Sequence, residues 1–91
     1  MKASEQLLFA LLRANILANR YSRYAPKVVQ RFWNRLIEVS KDYNLPETEK
    51  EAEIWIKTIP QEKQEELAEK INTVCDAFLA YFTREKRKIK V

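Results

Sequence analysis

The sequence predicts an all-α protein, a small four-helix bundle folded as a single domain over residues 1–91. Apolar residues recur at three- and four-residue spacing in every segment, and no segment alternates as a strand would. Three prolines and several polar clusters separate these periodic segments. Short amphipathic helices bury their apolar faces most simply as a bundle, and the pattern leaves its topology open between antiparallel and orthogonal packing.

The first predicted helix runs from about Ser4, a suitable N-cap, to about Ser22. One apolar stripe is expected to face the core: Leu7, Leu11, Ala14, Ala18 and Tyr21. A second apolar set lies on another side of the same helix: Leu8, Phe9, Leu12 and Ile16. A helix that is apolar on two sides is either central in its bundle or covered by a partner. The second set is therefore a candidate partner-binding surface, with burial inside the domain as the alternative.

The second predicted helix begins at Pro26, because proline lacks the N–H that a first helical position leaves without a partner. It continues to about Asp42 or Tyr43, and Asn44 is expected to end it in the left-handed conformation. Its apolar half comprises Val28, Val29, Phe32, Trp33, Leu36, Ile37 and Tyr43. Its polar half comprises Lys27, Gln30, Arg31, Asn34, Arg35, Glu38 and Lys41. This division predicts one core-facing and one solvent-facing side.

Prolines are also the first residues of the last two predicted helices. The third runs from about Pro46 to Ile59, with glutamates near its start, where the helix dipole favours negative charge. Its expected core face is Ala52, Trp55, Ile56 and Ile59. The fourth opens at Pro60 and runs to about Arg87, and the basic end over residues 84–91 is expected to fray. Its expected core stripe is Leu67, Ile71, Val74, Cys75, Phe78 and Phe82.

The composition argues against catalysis. Glycine is absent, so the chain has no glycine-rich phosphate loop and no dinucleotide fingerprint. Histidine is also absent, which removes the commonest general base and the commonest metal ligand. The one cysteine, Cys75, can form neither an intramolecular disulfide nor a cysteine metal cluster, and on an apolar stripe it is expected to be a small buried hydrophobe. We therefore expect no enzyme, no cofactor and no metal site.

The sequence predicts a cytoplasmic protein. The longest apolar run, Leu7 to Leu12, is far shorter than the about 20 residues of a membrane span. Polar residues interrupt any signal-like segment near the N-terminus. A single cysteine fits a reducing compartment.

Charge is segregated along the chain. The net charge is +4, but residues 1–46 hold eight basic and three acidic side chains, whereas residues 47–83 hold four basic and nine acidic ones. Residues 84–91 add five basic and one acidic side chain. A basic front, an acidic middle and a basic end make the chain dipolar, which would suit head-to-tail stacking of several copies.

A basic row on the second helix is the strongest functional signal. Lys27, Arg31 and Arg35 are spaced by four, so they align on one face, and residues 20–24 interleave arginine and tyrosine. Such residues can neutralise phosphates and stack on bases, and we find no base-reading set, so we expect recognition of the nucleic-acid backbone. The candidate nucleic-acid-binding residues are Arg20, Arg23, Lys27, Arg31, Asn34, Arg35, Lys41, Arg84, Arg87 and Lys88.

Two simpler explanations remain open for these residues. Arginines outside and aliphatics inside also describe an ordinary solvated amphipathic helix. A basic C-terminal end complements the dipole of the last helix without any ligand. The nucleic-acid interpretation requires Arg31 and Arg35 to face outward, away from carboxylates and from other helices.

The segments VVQRFWNRLIEV (residues 28–39) and CDAFLAYFTREKR (residues 75–87), with the size and charge of the chain, suggest a family. The chain resembles the small subunits of CRISPR Cascade (type I) effector complexes in size, helical architecture and charge. The resemblance implies a non-catalytic antiviral-defence subunit, stacked in several copies within a ribonucleoprotein and contacting guide RNA or target DNA phosphates through Lys27, Arg31 and Arg35. The alternative is a protein–protein adaptor or assembly module without nucleic-acid contact.

Overall fold

The computed structural model describes residues 2–40, 43–46 and 48–89, and the side chains of residues 2–40, 43–46, 48 and 50–82. Four α-helices occur within these residues: α1 (Ala3–Tyr21), α2 (Pro26–Val39), α3 (Glu49–Thr58) and α4 (Gln61–Ile89). The described part of the chain contains no strand. The predicted all-α bundle is confirmed.

Helices α1 and α2 both pack on α4, and they run in opposite directions. Arg13 of α1 contacts Asp76 of α4. Tyr21, at the C-terminal end of α1, contacts Phe82, which lies further towards the C-terminus of α4, so α1 and α4 run in parallel. Phe32 of α2 stacks on Phe78 of α4, whereas the end of α2 lies near the start of α4, so α2 is antiparallel to both. The short α3 immediately precedes α4 and contacts α1.

Helix α4 determines the length of the molecule. Its 29 residues span about 43 Å at 1.5 Å per residue, and the longest dimension of the protein is 47 Å. The helix ends at Ile89, slightly beyond the predicted position. Among the described residues, no helix is both long enough and apolar enough to cross a bilayer.

The predicted core stripes of α3 and α4 are confirmed. All four predicted residues of α3 are buried, and so are those of α4 except Phe82, which is partly buried against the core. In α1 the stripe is shifted: Leu7, Leu11 and Ala14 are buried as predicted, but Ala18 and Tyr21 are only partly buried. Two further α1 residues belong to the core, Ala10 and Leu17.

The apolar half of α2 is narrower than predicted. Phe32 and Leu36 are buried, while Ile37 is 49% exposed. Because successive helix residues are rotated by about 100°, Ile37 turns away from α4 when Leu36 faces it. The other predicted members, Val28, Val29, Trp33 and Tyr43, are partly buried against the core.

Three predicted helix termini are wrong: the start of α1, the end of α2 and the start of α3. Ser4 lies inside α1, whose N-cap is Lys2. The second helix ends at Val39, and its C-cap residue Ser40 donates from Oγ to the Leu36 carbonyl at 2.7 Å. Asn44 is therefore not needed as a left-handed cap, and none of the described residues has a positive φ.

The third helix also starts later than predicted. It begins at Glu49 instead of Pro46, because Thr48 is the N-cap and its Oγ1 accepts a hydrogen bond of 3.2 Å from the Glu51 N–H. Pro26 does open α2, as predicted.

A buried glutamine fixes the corner between α3 and α4. Gln64 Nε2 donates to the carbonyls of Ile56 at 2.9 Å and Ile59 at 3.0 Å. Both carbonyls belong to the C-terminal end of α3, where helical partners run out. The side chain thus ties the end of α3 to the first turns of α4, a role that the sequence analysis did not identify.

We expect Gln64→Ala to lower the free energy of unfolding by about 1–3 kcal/mol, because it removes the only side-chain donor that the described residues supply to the Ile59 carbonyl. Urea denaturation followed by circular dichroism measures the change. Gln30→Ala, at an exposed position within α2, is the matched control and should change stability by less than about 0.5 kcal/mol. Equal stability of the two variants would contradict the capping role.

Candidate nucleic-acid interface

The end of α1, the following turn and α2 form a basic face. Six basic and no acidic residues lie between Glu5 and Glu38 in the sequence. Within that span the candidate binding residues are all exposed: Arg20, Arg23, Lys27, Arg31, Asn34 and Arg35. Clustered cations of this kind give a surface positive potential.

A tight turn brings the first three of these basic residues to one end of the molecule. The backbone N–H groups of Tyr24 and Ala25 donate to the Tyr21 carbonyl at 3.2 and 2.9 Å. The chain therefore passes from α1 into α2 within four residues. Arg20, in the last turn of α1, and Lys27, in the first turn of α2, therefore lie on either side of the same turn.

Arg31 and Arg35 border a groove between α2 and α4. The groove has a volume of about 260 Å³. Its lining is mostly apolar: Val28 and Phe32 from α2, and Val74, Ala77, Phe78 and Tyr81 from α4, with Thr73 as a small polar member. The arginine row is thus next to an apolar surface, which the sequence analysis did not foresee. We call this feature the α2–α4 groove.

The two arginines differ in their charged neighbours. Arg31 forms no ion pair with any side chain that the structure describes. Arg35 Nη1 lies 3.8 Å from Glu38 Oε2, which departs from the expected row without carboxylates. Both partners of that pair are largely exposed, and such pairs contribute about 0–1 kcal/mol. Arg35 is therefore still available to an anionic ligand.

One carboxylate of α4, that of Asp76, is paired with an arginine of α1. Arg13 Nη2 pairs with Asp76 Oδ1 at 2.6 Å, and its Nη1 donates to Asn72 Oδ1 at 2.9 Å. Asp76 is thus on the α1 side of α4 and is not among the residues that line the groove. The pair was not predicted, although the sequence has a lone arginine in the apolar stretch of α1 and two polar residues four apart on α4.

Exposed tyrosines accompany the basic residues. Tyr24 is 68% exposed, and its ring lies 5.9 Å from that of Tyr21 and 6.2 Å from that of Phe82. Tyr21 itself stacks on Phe82 at 4.3 Å, which makes it a packing residue. Tyr81 is 44% exposed at the α2–α4 groove. Tyr24 and Tyr81 therefore present ring surface on which a base could stack.

The candidate partner-binding set on α1 is divided by the structure. Leu8 is partly buried against the core, so for this residue the alternative, burial inside the domain, is the better description. Phe9 is 53% exposed and Ile16 is 63% exposed, with Leu12 partly exposed between them. These three residues are spaced by three and four, so they form one stripe, which we call the α1 outer stripe.

Four predicted binding residues cannot be placed at this surface. Lys41 lies outside the described residues, and so do the side chains of Arg84, Arg87 and Lys88. The backbone at the last three positions belongs to α4. The basic C-terminal end remains a prediction from the sequence.

The thiol of Cys75 lies in the core of the bundle. Cys75 is fully buried, and burial raises the pKa of its thiol, which keeps it protonated at neutral pH. Within the described part of the chain, no three acidic or cysteine side chains converge in the way that a metal ion needs. The features that stand out chemically are instead the basic face, its tyrosines and the groove.

Comparison with known proteins leaves the chain without a family. No protein-family model matches it, and no curated protein and no solved structure shows significant similarity. The resemblance to Cascade small subunits therefore stays a prediction.

Proposed function

We propose that this protein is a non-catalytic, nucleic-acid-binding subunit of a cytoplasmic ribonucleoprotein assembly. The observation that carries the proposal is the basic face over residues 20–35, where exposed arginines and a lysine occur together with the exposed Tyr24 and the sequence has no acidic residue. The protein binds the phosphate backbone through these cations and does not read base sequence.

Electrostatics supports this proposal in a specific way. Arg20, Arg23, Lys27 and Arg31 have exposed side chains that form no ion pair with a described residue, so binding a phosphate breaks no internal contact. Each phosphate that is neutralised releases condensed counterions, and this release drives association at low salt. In the alternative, an ordinary solvated helix, the same cations would contact only water and salt ions.

The Cascade small subunit is the most specific form of the proposal. A small helical bundle with one basic face would contact guide RNA or target DNA phosphates from the side, as the family resemblance implies. Exposed glutamates on α3 and α4, including Glu53 and Glu62, support stacking of copies, because an acidic surface of one copy complements the basic face of the next.

A second function, protein assembly, is favoured by the α1 outer stripe. Exposed Phe9 and Ile16 on one helix face are more apolar than a solvated helix requires. We propose that this stripe packs against another copy of the chain. An adaptor that binds protein only, without nucleic acid, would use the stripe and leave the basic face unused.

Charge reversal tests the nucleic-acid function. We expect the native protein to bind a single-stranded oligothymidylate, with a log–log salt slope of about −3 to −4 if it contacts about four to six phosphates. The Arg31→Glu/Arg35→Glu double variant should bind at least about tenfold more weakly, with a shallower slope. Fluorescence anisotropy titrations at several salt concentrations measure both quantities.

A matched control separates local contact from net charge. Lys50→Glu/Lys57→Glu changes the net charge by the same amount at two exposed positions of α3, away from the basic face. It should keep most of the affinity. Equal losses in the two double variants, or no binding by the native protein even at low salt, would contradict the proposed interface.

Replacing the exposed tyrosine tests the stacking contribution. Tyr24→Ala should weaken oligothymidylate binding by about 5- to 100-fold, because it removes one base-stacking surface. The salt slope should not change, since no cation is lost. Tyr24→Phe keeps the ring and should bind like the native protein. If Tyr24→Ala also binds normally, Tyr24 is only a surface residue.

The assembly function predicts concentration-dependent self-association. Phe9→Ser/Ile16→Ser should sediment as a folded monomer at concentrations where the native chain forms multimers. Ile37→Ser/Ile54→Ser, which alters two exposed isoleucines on other helices, is the control and should still associate. Sedimentation velocity measures the mass and circular dichroism the helicity. A native protein that is monomeric throughout would exclude self-assembly through this stripe.

A further inference from the structure

We propose that the α2–α4 groove binds a single unpaired nucleobase, so that the protein selects single-stranded over duplex nucleic acid. This inference rests on the proposed function, because it assigns a strand class to the same basic face. It adds a second kind of contact to that face. Phosphate binding alone would accept any polyanion, whereas an apolar groove accepts only a ligand that can expose an apolar surface.

The dimensions of the groove fit one flat group. Its volume of about 260 Å³ is just below the about 300–1,000 Å³ typical of pockets for drug-sized molecules. The α2 residues that line it run from Val28 to Arg35, about 11 Å along the helix axis. A partner helix is itself about 10–12 Å across and needs several turns of groove, so this groove is too short to seat one.

The lining of the groove fits an aromatic ring. Phe32 and Phe78 stack on each other with ring centroids 4.2 Å apart, which gives the groove a fixed aromatic base. Tyr81, at 44% exposure, offers a ring surface to whatever enters. Thr73 and Ala77 are small, and their lack of bulk leaves the space open on the α4 side. Base–aromatic stacking is tolerant of sequence, in agreement with a protein that does not read bases.

The arginines fit the phosphates on either side of such a base. Arg31 and Arg35 both border the groove and are one helical turn apart, about 6 Å along the axis. Their planar guanidinium groups donate hydrogen bonds in a fork that matches phosphate, and they can also stack on a base. A base in the groove therefore places its own phosphates within the reach of two cations.

A duplex cannot use the groove without breaking pairs. Its bases are stacked inside the helix, and extracting one costs a few kcal/mol. A single strand already exposes its base faces. The groove therefore contributes to affinity for a single strand and adds nothing for an intact duplex, which would contact only the cations.

Filling the groove tests the inference. Ala77→Leu places a larger side chain at an exposed lining position, and Ala80→Leu, at an exposed α4 position that does not line the groove, is the matched control. The probes are oligothymidylate, an abasic strand of the same length and a duplex of the same length. Anisotropy at one low salt concentration gives the affinities. Thr73→Leu serves as a second filling variant if Ala77→Leu fails to fold.

We expect Ala77→Leu to weaken oligothymidylate binding by about 5- to 100-fold and to leave the abasic strand and the duplex unaffected. Ala80→Leu should bind all three like the native protein. Equal binding of oligothymidylate by all variants would overturn the base site but leave the proposed function intact. Loss of affinity for all three probes would make the groove a backbone contact and also overturn it.

Two further outcomes separate the two proposals. Absence of binding to every probe by the native protein would remove the proposed function and the base site together. If Ala77→Leu leaves nucleic-acid binding unchanged but abolishes self-association in sedimentation velocity, the occupant of the groove is a protein segment, and the base site is wrong.

Discussion

The packing of both α1 and α2 on one helix, α4, is the constraint from which the rest of the structure follows. Ile71 and Cys75 are fully buried at the centre of α4, and Phe78 contacts Phe32 of α2 and Tyr21 of α1. The two partners are not equal, because α1 buries five residues and α2 only two. The more loosely covered side of α4 is where the α2–α4 groove opens, so the candidate site is a consequence of how the core is shared.

Periodicity predicted the helices and most of the core, because residues at three- and four-residue spacing share one face of a helix. Periodicity did not predict residues whose role depends on contacts with a neighbouring helix. Gln64 is polar and buried, and its role depends on the carbonyls of Ile56 and Ile59, which the fold alone brings within reach. Helix ends failed for a related reason: Ser40 and Thr48 compete with proline and asparagine as caps, and the winner is decided by backbone geometry.

The site was predictable as a row of cations but not as a groove. The spacing of Arg31 and Arg35 places them on one face of α2, and the structure leaves both exposed. Nothing in that spacing reveals that the same face adjoins α4 at small residues, Thr73 and Ala77. A groove is a property of two helices and of their relative rotation, whereas a stripe belongs to one. The four-residue spacing of small side chains on α4 was the available signal, and it acquires meaning only once α2 is known to lie beside it.

The cations of the basic face and the apolar groove act on a nucleic acid in different ways. Attraction between cations and phosphates acts over about 8–10 Å at ordinary salt and governs encounter, but it distinguishes poorly between polyanions. Apolar contact acts only at touching distance, and it distinguishes strands by whether a base is free to enter. Asp76 pairs with Arg13 on the α1 side of α4, so this carboxylate is not part of the groove, where it would repel phosphate. A surface that was only solvated would not require the open apolar space beside Arg31.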